Sequence, residues 1–198
     1  RCFSSPTSLS SLNSRVPRIM PPRTPDDIRA VFATSNDFNE IFDAFEVAVA
    51  MGLKDVELYR VLFWNTALSP DEVRLFGEKL AASYPDIAYD VYAWLASVFE
   101  VTYSSYDNFE LALLYYRKAA GARPEEVAPY LDAADCYNPD LNIPPADQLL
   151  SFLRSGIPLV SNKKSLLHRL AYICEMTGDQ EQSQYYRRLA DDIGRLRN

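Results

Sequence analysis

The chain of 198 residues holds one histidine, His168, and that scarcity removes most acid–base and metal chemistry at once. A histidine-based nucleophile pair would have to use His168, whose neighbours one helical turn away are Lys164 and Tyr172. No G-x-S-x-G run offers a serine nucleophile. Cysteine is almost as sparse: Cys2, Cys136 and Cys174 are an odd, widely spaced set, which fits small core residues in a reducing compartment better than a disulfide framework or metal site. Walker loops, G-x-G-x-x-G runs and C-x-x-C pairs are missing, so catalytic residues, cofactors and metals are all expected to be none. No apolar run reaches the roughly 18–20 residues of a membrane span. Only six glycines occur, and no segment alternates convincingly between apolar and polar residues, which argues against a sheet.

What remains is 48% apolar residues, enough for one substantial core, and acids in excess of bases. The net charge is −7, yet the first 25 residues contain four arginines and no acid, leaving about −11 for the rest. Such an acidic body suits a phosphate backbone poorly, because sequence-independent nucleic-acid affinity comes from clustered Lys and Arg. Residues 1–23 are Ser-rich, Arg-bearing and acid-free. That composition resembles an organellar transit peptide or its remnant, with an ordinary flexible tail as the alternative. The expected location is a mitochondrion or plastid in the first case and the cytoplasm in the second. The division is therefore a 1–23 N-terminal segment and a 24–198 helical domain.

Helix punctuation runs through that domain. Thr24-Pro25-Asp26-Asp27 and Ser69-Pro70-Asp71-Glu72 each combine a capping residue with proline at the first helical position. Asp37 with Glu40, Asp107 with Glu110 and Asp179 with Gln182 repeat the capping-box spacing. The pattern predicts helices from Pro25, over 38–51, 55–66, 70–83, 86–103, 109–121, about Tyr130 to Tyr137, 146–155 and, on both sides of Gly178, across Lys163 to Ile193. Segment 138–145, with three prolines, reads as a loop. Paired carboxylates at Asp26-Asp27 and Glu125-Glu126 fall in first turns, where they oppose the helix dipole. Asp132 and Asp135 are spaced to share a helical face, but two carboxylates fit a solvated surface better than a cation site.

In the last predicted hairpin Leu167, Leu170-Ala171, Cys174, Gly178, Ser183 and Ala190 stand where the tetratricopeptide repeat (TPR) carries its packing residues. Ser183 replaces the usual alanine, and Arg195 the common closing proline. Ala112, Tyr116, Ala119 and Pro124 give a second match. Closing positions near Leu53, Pro85, Pro124, Pro158 and Arg195 lie 32, 39, 34 and 37 residues apart, near the roughly 34 of that repeat. The chain thus resembles a TPR-like protein over residues 37–197. The resemblance implies an all-α solenoid of about five antiparallel hairpins in a right-handed superhelix, whose concave groove is lined by the first helix of each unit. By that register the partner-binding residues are Arg60, Trp64, Asp90, Ser97, Asp132, Asp135, His168, Arg169 and Tyr172. The basic clamp some such repeats close on a chain-terminal carboxylate is matched only by Arg60 and the Lys164, His168, Arg169 group. The implied function is a non-enzymatic scaffold or assembly subunit that binds a protein segment. The alternative is an organellar RNA-associated helical-repeat protein.

Overall fold

The computed structural model describes residues 24–102 and 106–195, so the expectations for segment 1–23 lie outside the described residues. The described part is all helical: α1 Pro25–Thr34, α2 Phe38–Ala50, α3 Val56–Phe63, α4 Pro70–Ser83, α5 Ala88–Thr102, α6 Tyr106–Ala122, α7 Ala128–Asp135, α8 Ala146–Gly156, α9 Lys163–Met176 and α10 Gln180–Arg195, with a 3-10 turn Pro85–Ile87 ahead of α5. An isolated bridge between Asn138 and Ile143 is the one strand-type pairing among the described residues.

Capping explains several of the boundaries. Thr24 Oγ1 accepts from the Asp27 amide at 3.1 Å while the Thr24 amide donates to Asp27 Oδ2 at 3.0 Å. Ser69 and Glu72 exchange the same pair at 3.3 and 2.7 Å, satisfying donors that a helix start otherwise leaves open. Asp37 caps α2 by accepting from the Asn39 amide at 2.9 Å, but Glu40 does not close the expected box. Its carboxylate takes the Ser35 hydroxyl at 2.6 Å instead. Between α9 and α10, Gly178 sits at φ +83, and Asp179 Oδ1 accepts from the Gln182 amide at 3.0 Å. A positive φ is the conformation glycine adopts without a Cβ clash.

Three expected boundaries are corrected. Helix α3 stops at Phe63 rather than Thr66, and Thr66 is exposed rather than in register. The buried Asn65 draws the chain off the helix by donating through Nδ2 to the Phe32 and Ser35 carbonyls at 2.9 and 3.0 Å. Helix α6 already begins at Tyr106, placing Asp107 inside the first turn rather than ahead of it. Helix α7 ends at Asp135, so Tyr137 lies beyond it.

Helices adjacent in sequence pack on one another except α2 and α3, α2 meeting α4 instead. Within the pairs α1–α2, α3–α4, α5–α6, α7–α8 and α9–α10 the two members touch; α4 meets α5, α6 meets α7 and α8 meets α9; and α1–α3, α3–α5 and α7–α9 also pack. Helices α1 and α3 run the same way, since Arg29 near one start lies 3.7 Å from Asp55 at the other and Asn65 joins the two ends. One hydrophobic core runs from Ile28 to Ala190. Aromatic pairs mark its length: Phe45 with Phe76 at 5.0 Å, Phe99 stacked on Tyr115 at 5.5 Å, and Tyr130 stacked on Phe152 at 4.6 Å. Each such ring contributes about 1.5–3 kcal/mol by leaving water. In α8, Gly156 lets the Tyr130 ring approach so closely that a Cβ there would lie 2.7 Å from ring carbon Cε1.

Candidate functional site

The nine residues expected to meet a partner fall on or at the ends of α3, α5, α7 and α9, of which α3 packs on α5 and α7 on α9. On α3, Arg60 Nη1 holds Glu57 Oε2 at 2.8 Å, and its guanidinium lies 4.9 Å from the centre of the Trp94 ring on α5. Trp64 caps the helix and is 40% exposed. With Arg60, Ala33, Asn36 and Thr66 it lines an open hollow of about 480 Å³.

On α5, Asp90 faces Arg123 Nη2 at 3.4 Å, and the same guanidinium covers the Tyr89 ring at 4.5 Å. Ser97 is turned inward on its own helix, its hydroxyl donating to the Ala93 carbonyl at 3.2 Å.

Helices α7 and α9 meet through Asp135 and Arg169, whose Nη2 lies 2.8 and 3.0 Å from the two carboxylate oxygens. Asp132, one turn earlier, has no ion pair among the described residues. Asp132 as a residue is exposed, but the partial desolvation of its carboxyl, then the neighbouring charges of Asp135 and Glu100, push that carboxyl above the ordinary carboxylate range, and Arg169 offsets this only in part. Glu100 comes from α5, where its Oε2 accepts the Tyr116 hydroxyl at 2.9 Å. Burial pushes the Cys136 thiol up, and the nearby Glu100 carboxylate adds to the shift. Cys136 and Cys174 are both buried and unlinked. A buried, undissociated thiol beside a carboxylate is a poor nucleophile.

His168 is exposed, and Tyr172 is 47% exposed; neither makes a side-chain hydrogen bond or ion pair among the described residues. The structure therefore brings Asp132, Asp135 and Arg169 together, and burial, then Glu126, with smaller contributions from Asp132 and Asp90, pushes the Tyr89 hydroxyl up against the opposing charge of Arg123. No side-chain hydrogen bond or ion pair joins Trp64, Ser97, His168 or Tyr172 to that cluster among the described residues. Trp94, Glu100 and Arg123 act on these residues, Trp94 on Arg60, Glu100 on Asp132 and Arg123 on Asp90, and were missed in the sequence. The register that selects residues just before a packing position does reach Trp94, which directly precedes buried Leu95.

A second hollow of about 530 Å³ lies between α6, α7 and α8, bounded by Ala120, Tyr130, Phe152 and Leu159. Arg117 spans it, donating to the Gln148 carbonyl at 3.0 Å with its guanidinium 5.8 Å from the Phe152 ring centre. Among the described residues no group of three His, Cys, Asp or Glu side chains is placed to hold a metal, and no helix is long and apolar enough to cross a membrane. No family model matches the chain, and no curated protein matches it.

Proposed function

We propose that the chain is a non-enzymatic interaction scaffold or assembly subunit: about five TPR-like hairpins stacked into a right-handed solenoid that grips a partner segment along its α3, α5, α7 and α9 side. The observation that carries this reading is the packing order. From the second pair onward the second helix meets the first of the next, as α4–α5, α6–α7 and α8–α9 do, while α2 meets α4, and stacking of this kind supports a reading in which the first helices keep one side free for binding. That side presents Trp64 and Tyr172, together with charges of both signs. Aromatic anchors set among polar groups suit an extended or helical segment held by stacking and by a few oriented contacts. Asp90, Asp132 and Asp135 would repel a phosphate backbone, so a protein partner is the better fit.

The test is affinity purification from the native source. Bait carrying Trp64→Ala, Asp132→Lys and Arg169→Glu together is expected to lose the partners recovered by the unaltered chain while keeping its helical circular dichroism. Undiminished recovery of the same partners would overturn the reading.

A further inference from the structure

Lysine–glutamate pairs bridge the earlier second helices: Lys79 on α4 is held by Glu46 on α2, and Lys118 on α6 by Glu78 on α4. Between α6 and α8 the bridge is of another kind. Arg117 donates to the Gln148 backbone carbonyl and lies beside the Phe152 ring, with no ion pair among the described residues. It borders the hollow of about 530 Å³, none of whose lining residues is acidic. In a chain of net charge −7, this cation is left uncompensated.

Tyr130 adds an unused donor to the same hollow. The residue lines it and is only 2% exposed, yet its hydroxyl makes no hydrogen bond among the described residues. Stacking on Phe152 at 4.6 Å and the close approach to Gly156 hold the ring in place. Buried hydroxyls are normally paired, so the partner of this one comes from whatever fills the hollow. The Ser155 hydroxyl is already spent on the Phe152 carbonyl at 2.6 Å, which leaves Ser151 as the further hydroxyl in the lining.

We propose that the hollow between α6, α7 and α8 binds a small carboxylate with an apolar body, its charge held by Arg117 and the Tyr130 hydroxyl and its body laid against Phe152 and Leu159. A guanidinium presents a fork of donors that matches a carboxylate, and the Gln148 carbonyl uses only Nη2. One cation without an acid balances a single negative charge, which favours a monoanion over a doubly charged phosphate. Leu159, 51% exposed, and the Phe152 ring supply an apolar wall that a bare inorganic anion would leave uncovered. The volume falls within the roughly 300–1,000 Å³ of small-molecule sites. The site shares no residue with the proposed groove, so the two readings stand or fall separately.

The test is an NMR titration of the full chain with 4-phenylbutyrate, set beside its uncharged match 4-phenylbutan-1-ol. The carboxylate is expected to shift the Ser151, Phe152 and Ser155 amide signals saturably, with a dissociation constant of about 1–5 mM for a ligand of this size. The alcohol should bind at least about tenfold more weakly, because it forfeits a charge-assisted hydrogen bond. Arg117→Met should weaken the carboxylate about tenfold or more, and Tyr130→Phe, which keeps the packed ring, about three- to tenfold. Lys54→Met, which removes a charge far along the chain, should leave its affinity within about twofold. Absence of saturation at about ten times the expected constant overturns the proposal. So does equal affinity for the alcohol, or undiminished carboxylate binding in Arg117→Met and Tyr130→Phe.

Discussion

The Arg60 guanidinium lies 4.9 Å from the Trp94 ring centre, joining α3 to α5 across 34 positions of sequence. An arginine over an indole face at a partly exposed site is worth about 0.5–1 kcal/mol. A double-mutant cycle on Arg60→Ala and Trp94→Leu, read by urea unfolding, is therefore expected to give a coupling of about that size. Strict additivity of the two changes would show that the pair is a contact without energetic consequence.

Two glycines in helices respond oppositely to alanine. At Gly156 a Cβ meets the Tyr130 ring at 2.7 Å, and that ring is stacked on Phe152. At Gly121 nothing lies within 4 Å. Gly156→Ala is expected to cost about 1–3 kcal/mol through overpacking, whereas Gly121→Ala is expected to gain up to about 0.5–1 kcal/mol from reduced backbone freedom of the unfolded chain. Chemical denaturation of both variants checks the signs. A stabilised Gly156→Ala would mean that the Tyr130 ring yields freely.

Asp132 gives the fold a pH dependence of defined sign. Partial desolvation raises its carboxyl, Asp135 on its own helix and Glu100 from α5 raise it further, and Arg169 from α9 opposes them. A carboxyl that binds its proton more tightly in the folded than the unfolded state favours folding below its ordinary value near 3.8. That contribution is lost as pH rises toward the elevated value. Asp132→Asn should accordingly be more stable than the unaltered chain at neutral pH, with the advantage shrinking as pH falls toward that lower bound. A less stable Asp132→Asn at neutral pH would contradict the argument.

Local signals in the sequence went far. Thr24 and Ser69, each three residues before an acid and just ahead of proline, mark helix starts that the structure reproduces, and Gly178 takes the positive φ expected of a helix end. What stayed hidden depends on partners distant in sequence. Asn65 looks like a helical position until its amide is seen satisfying carbonyls more than 29 residues away, and that contact shortens α3. Asp37 and Glu40 have the spacing of a capping box, but the Ser35 hydroxyl competes for Glu40. Ser97 has the register of a groove residue, yet its hydroxyl is spent on its own helix. Glu100 carries no signal of its own in the sequence. Its role is set by Tyr116 on α6 and Asp132 and Cys136 on and after α7, which periodicity within one helix cannot report.

Placing a photo-crosslinking residue at either Trp64 or Leu114 tests the proposed binding side most directly. Both positions are partly exposed, at 40% and 38%, but Trp64 borders the proposed groove whereas Leu114 lies on α6, a second helix of its pair. Irradiation in native extract is predicted to yield discrete protein adducts from position 64 and none from position 114. Adducts from position 114 alone, or the same adducts from both, would contradict the account.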